Sequence, residues 1–156
     1  MPKVSVLMSV YNGEKYLKEA IKSILGQSFK DFEFIIINDG SIDKTEKIIK
    51  VFNDKRIVLI NQENIGLTKS LNNGLKLAQG DYIARMDADD VALSYRLEKQ
   101  VKFLDSNPHI FLVGSSCYLI NESNLLIVFY LLLISWTFGF FPCRNGSLME
   151  MIGGNI

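Results

Sequence analysis

The stretch YIARMDADDVALSYR, Tyr82 to Arg96, runs from a short apolar segment into three carboxylates, Asp87, Asp89 and Asp90. Neighbouring negative charges repel, so either this is a solvated turn or a positive group belongs among them. Two carboxylates spaced i, i+2 near a strand end can chelate a hard divalent cation, or share the work between a sugar hydroxyl and the metal. Mg²⁺ or Mn²⁺ held by few protein ligands completes its shell with water and phosphate oxygens. The pattern therefore predicts a diphosphate ligand rather than a bare ion.

Other residues can serve the same ligand. Tyr11 offers a flat face on which a base can stack. Asp39 can accept a hydrogen bond from a base N–H, such as N3 of uracil. Lys69, in the first turn of a predicted helix, brings positive charge for phosphate. Each residue also has a plainer reading. Tyr11 can be a core aromatic, Lys69 a surface lysine, and Asn12 and Asn64 turn closers. Asp90 reads as a turn residue rather than a third ligand. Arg85 reads as the partner of a neighbouring carboxylate, with phosphate as the alternative. His109 follows Pro108 without any partner motif and reads as a surface loop residue.

The elements that must position these residues alternate. Val4 to Val10 is an apolar run suited to a buried strand. The period then changes, and Leu17, Ala20, Ile21, Ile24 and Leu25 share one helical face. FEFIIIN is a second strand, followed by a helix reaching about Phe52 and capped by Ser41 or Asp43. RIVLIN is a third strand. Leu67, Leu71, Leu75 and Ala78 stripe a third helix, ended by Gly80. DYIARMD is a fourth strand, Leu97, Val101 and Leu104 stripe a fourth helix, and IFLVGSSCYLI is a fifth strand. This order predicts an α/β fold: a doubly wound, mostly parallel sheet with helices on both faces. Ligands of such sheets bind beyond the carboxyl ends of the strands. Tyr11, Asp39, Asn64, Asp87 and Asp89 all fall there, and that shared position is the informative feature.

The composition excludes several classes. Seventeen basic residues balance seventeen acidic ones, so there is no electrostatic case for nucleic acid. Cys117 and Cys143 form neither metal-ligand spacing nor a disulfide framework, which suggests a reducing, cytoplasmic setting. The opening MPKVSVLMSV reads as a strand, not a signal peptide. There is no Walker-type phosphate loop, GxGxxG, HExxH or nucleophile elbow.

Three blocks in order carry a resemblance: VSVLMSVYNGEKYLKEAIKSILGQSF, FEFIIINDGSIDKT and NIGLTKSLNNGLKLAQGDYIARMDADD. They resemble the nucleotide-sugar-binding half of glycosyltransferase family 2, a GT-A fold, over roughly Val4 to Asn121. The resemblance implies metal-assisted, inverting transfer of a sugar from a nucleotide-diphosphate donor, UDP-sugar foremost, to a saccharide or lipid-linked acceptor. It implies Mn²⁺ or Mg²⁺ as cofactor, with Asp89 the direct metal ligand and Asp87 nearer the ribose. Val10, Tyr11, Asp39, Asn64, Lys69 and Asp87 would meet the nucleotide. Ser9 and Val10 stand where many members have Pro-Thr. Inverting members supply a catalytic base downstream, often in an ED pair. The later acids here, Glu98, Asp105, Glu122 and Glu150, lack that context, so the base is unassigned. A truncated nucleotide-binding fragment, or a doubly wound domain for another phosphate ligand, are the rival expectations.

The composition changes after Asn124, dividing the chain into 1–121 and an apolar tail, 122–156. Leu125 to Phe141 carries no charge. A bilayer span needs about 20 apolar residues, with about 17 the lower limit. The run can be a membrane segment at the cytoplasmic face, a core or partner-facing stretch, or an out-of-frame end. Asn121-Glu-Ser123 and Asn145-Gly-Ser147 fit the glycosylation pattern, which arises often by chance.

Overall fold

A computed structural model of the protein describes residues 1–120, 126–130 and 140–142. Four strand–helix pairs come first: β1 Val4–Val10, α1 Leu17–Leu25, β2 Phe32–Asp39, α2 Thr45–Val51, β3 Ile57–Gln62, α3 Leu67–Leu75, β4 Tyr82–Arg85 and α4 Arg96–Ser106. Three further strands follow: β5 Cys117–Ile120, β6 Leu126–Tyr130 and β7 Phe140–Pro142. The main sheet has the order β3-β2-β1-β4-β7. The first four strands are parallel, as expected, and β7 joins β4 antiparallel, with Tyr82 opposite Pro142.

Strands β1 and β2 are apolar almost throughout because helices cover both their faces. One face presents Val4, Val6, Met8, Phe34, Ile36 and Ala84 to α1, α2 and α4. Leu17, Ala20, Ile21 and Ile24 pack there from α1, and Leu97, Val101 and Leu104 from α4. The other face presents Leu7, Ile35, Ile37 and Ile83 to Leu71 of α3.

Two elements depart from expectation. Helix α3 ends at Leu75, and Leu67 is half exposed rather than part of the buried stripe. Leu71, Leu75 and Ala78 keep their place against the sheet, and the closest approach is at Gly74. A Cβ there would lie 2.2 Å from Leu7 Cδ1 and 2.8 Å from Ile37 Cδ1, so the missing side chain sets the approach distance. The expected fifth strand shrinks to Cys117–Ile120 and leaves the main sheet to pair antiparallel with β6. The edge of β4 is taken by β7.

The described parts of the apolar run, β6 and β7, are strands, so no single helix fills Leu125 to Phe141. No helix among the described residues is long and apolar enough to cross a membrane. Both glycosylation triplets, Glu122, Glu150 and Cys143 lie outside the described residues.

Candidate functional site

The carboxyl ends of β1 to β4 form one edge, held by bonds between loops. After β1, Asn12 adopts a left-handed φ of 52°, which Asn tolerates better than most residues. Its backbone N–H donates to Ser41 Oγ at 2.9 Å, and its Oδ1 accepts from the Ile42 N–H at 2.9 Å. The Gly13 N–H donates to Thr45 Oγ1 and the Glu14 N–H to Asp43 Oδ2, at 2.9 and 3.0 Å. Asp43 also accepts from the Thr45 N–H at the start of α2, while Ser41 turns to Asn12. Asn12 is thus the turn closer its type suggested. Tyr11 is 52% exposed, so it is a surface ring at the site and not a core aromatic. Val10 is buried in the core, which leaves only its backbone for a ligand.

Asp39 ends β2 and is only 2% exposed. Its Oδ1 accepts from Gln62 Nε2 at 2.7 Å and the Ile65 N–H at 3.0 Å, and its Oδ2 accepts from the Gly66 N–H at 2.9 Å. Burial alone would raise its pKa. Hydrogen bonds led by those from Ile65 and Gln62 outweigh burial and hold the carboxyl below its usual range. Asp39 is therefore an anion that ties β2 to the loop before α3. The Ser70 side chain adds to the same effect, so four protein groups surround this carboxylate. Gly40 touches the same loop: its φ is 75°, and a Cβ would lie 2.6 Å from Asn64 N. Asn64 and Lys69 are exposed.

At the end of β4, Arg85 Nη2 donates to Asp87 Oδ1 at 2.9 Å, the carboxylate pairing expected for Arg85. The Asp90 N–H reaches the Asp87 carbonyl at 3.4 Å, a turn contact. Arg96, from α4, donates through Nη2 to the Arg85 carbonyl at 2.8 Å. Asp87 is half-buried and Asp89 is exposed. Burial raises the Asp87 pKa against the pull of Arg85. Burial, then repulsion from Asp87 and Asp89, pushes Asp90 up to about 6. This group of hard oxygens is short of positive charge, which suits a divalent cation. Among the described residues no three His, Cys, Asp or Glu side chains converge as a closed cage. A cation here would keep positions for water or phosphate.

Sequence reasoning missed Gln62 and Arg96. Each was detectable as a polar residue in a segment meant to be buried: Gln62 ends an apolar strand, and Arg96 precedes Leu97 on the buried face of α4.

The Glycosyl transferase family 2 model matches residues 5–155. The chain belongs to glycosyltransferase family 2. It is 48% identical over 131 residues to an uncharacterized glycosyltransferase of Methanocaldococcus jannaschii, covering 81% of this chain and 45% of that protein. It is 46% identical over 132 residues to an uncharacterized glycosyltransferase of Haemophilus influenzae, covering 81% of this chain and 40% of the relative. The chain thus spans less than half the length of these family 2 relatives. Among solved structures, S. aureus TarS 1-349 in complex with UDP-GlcNAc superposes with a TM-score of 0.65 at 31% identity, over 68% of this chain and 32% of that one. The mannosyltransferase PcManGT of Pyrobaculum calidifontis, in complex with GDP-Man and Mn²⁺, superposes with a TM-score of 0.66. That likeness covers 73% of this chain and 35% of PcManGT; at 24% identity it speaks for the fold alone.

Proposed function

We propose that this family 2 domain binds a nucleotide-diphosphate sugar, of the UDP-sugar class, with one Mn²⁺ or Mg²⁺ ion, for inverting transfer to a saccharide or lipid-linked hydroxyl. One observation carries this reading. The loops after β1, β2 and β3 are hydrogen-bonded to one another at the carboxyl edge of the sheet, β4 ends at the same edge, and Tyr11 and Asp89 are both open to solvent there. The likeness to TarS, solved with UDP-GlcNAc, supports the donor class.

In this reading Tyr11 stacks on the base and Asp39 accepts the base N–H. Asn64 lines the base side of the crevice, beside Gly40. Asp89 holds the cation, and Asp87, steadied by Arg85, faces the ribose and the metal shell. Lys69 faces the diphosphate from the first turn of α3. The bound cation supplies charge neutralisation for the departing diphosphate. The chain's own part is to orient the donor.

Two of the later acids lie among the described residues, and both are engaged elsewhere. Glu98 accepts from Ser28 Oγ on the loop after α1. Asp105 pairs with Lys3 and accepts from Tyr82 Oη at the amino ends of β1 and β4, opposite the site. This favours donor binding without transfer as the second reading for the chain by itself.

The test is a titration of UDP into wild type and Asp89→Asn, with and without Mn²⁺. A neutral amide cannot replace a carboxylate's charge at a hard cation. Mn²⁺ should tighten UDP binding in wild type and do little in the variant. Equal enhancement in both removes Asp89 from the metal.

A further inference from the structure

Gln27 sits sixty positions before Asp87 in the chain, just past α1, and is fully buried. A buried amide needs partners, and this one has three. Its Nε2 donates to the Ser23 carbonyl at 3.0 Å and to the Leu93 carbonyl at 2.9 Å. Its Oε1 accepts from the Leu97 N–H at 3.1 Å. Ser23 Oγ accepts from the Ala92 N–H at 3.0 Å, and the Ser28 N–H donates to the Ser94 carbonyl at 2.8 Å. The end of α1 therefore grips residues 92–97 by backbone groups. That segment joins the Asp87–Asp90 turn to α4. It has no regular ladder of its own between β4 and α4, so these bonds are what position it.

The grip continues to the carboxylates. Leu97 follows Arg96, Arg96 donates to the Arg85 carbonyl at 2.8 Å, and the Arg85 side chain in turn pairs with Asp87 at 2.9 Å. We infer that Gln27 is a positioning residue for the Asp87–Asp89 metal site, acting through residues 92–97 and Arg96. The inference rests on the proposed donor-binding function. A residue of this kind has no contact with the ligand. Its loss lets the turn drift while the base side of the crevice, built by β1, β2 and the loop before α3, stays in place.

The experiment compares wild type, Gln27→Ala and Ser23→Ala. Circular dichroism establishes folding, and two binding measurements follow: UMP without metal, and Mn²⁺ titrated in the presence of UDP. Outer-shell partners of metal ligands typically contribute about 10–100-fold in metal affinity. Gln27→Ala should keep UMP affinity within about twofold and weaken apparent Mn²⁺ affinity about tenfold or more. Ser23→Ala removes one bond of the same grip and should fall between wild type and Gln27→Ala. It carries the test if Gln27→Ala does not fold. Equal loss of UMP and Mn²⁺ affinity would make the role merely structural and overturn the inference. So would unchanged Mn²⁺ affinity in both variants. If wild type itself shows no Mn²⁺ enhancement of UDP binding, the proposed function fails first and the inference falls with it.

Discussion

At the scale of single residues, Asp39 joins two tasks. It holds the Ile65 and Gly66 amides, and in the proposed function it also accepts a base N–H. Asp39→Ala would leave those two N–H groups and Gln62 without their acceptor. A buried donor left unmade costs about 1–3 kcal/mol. The expected result is a loss of about 3 kcal/mol in urea unfolding, together with UMP affinity roughly ten- to a hundredfold lower. If stability drops and UMP affinity is unchanged, Asp39 serves the fold alone. The second task is a proposal read from the residue's type and position. The first was not legible, because a sequence does not say which backbone amides will turn toward a carboxylate. The same holds for Asp43 and Ser41. Both were plausible helix caps, and only the approach of the loop after β1 decided that Ser41 would bond Asn12.

At the scale of elements, the stripes of α1 and α4 were readable because apolar spacing alone selects their buried faces. Helix α3 was read in part, and the part missed has a physical reason. Leu71, Leu75 and Ala78 pack on the sheet as their spacing suggests, but the closest approach is at Gly74, a residue with no hydrophobic signal, while Leu67 is half exposed. Gly74→Ala tests this. Alanine would favour the helix by about 1 kcal/mol. Its Cβ would press on Leu7 and Ile37, both buried, and overpacking costs about 1–3 kcal/mol. A net destabilisation of about 1 kcal/mol is expected by thermal or urea unfolding. A more stable variant would show that α3 can retreat from the sheet freely. The fifth strand was misplaced because an apolar run does not name its partner. Strand β7, much further along the chain, takes the edge of β4.

At the scale of the molecule, the parallel sheet gathers the residues proposed for the donor, while Glu98 and Asp105, the later acids among the described residues, are engaged elsewhere. Acceptor transfer needs a base within reach of the attacking hydroxyl. The purified chain, given UDP-sugar, Mn²⁺ and candidate acceptors, should show slow hydrolysis at most. Acceptor-dependent turnover at about 1 per second or faster would mean that an acid outside the described residues reaches the site, or that Glu98 leaves Ser28 to do so.

The cross-bonding of the loops after β1 and β2 has a thermodynamic consequence. The amides of Asn12, Gly13, Glu14, Ile42, Lys44 and Thr45 all end on side chains of those same two loops. They should exchange with deuterium slowly and at similar rates, as one opening unit, even without nucleotide. Scattered rates, or protection that begins only when UDP is added, would mean separate loops. If the unit holds, most of the chain's disorder on this side of the crevice is already lost during folding. An incoming base would then have little left to freeze, so its affinity could be high for a modest contact area.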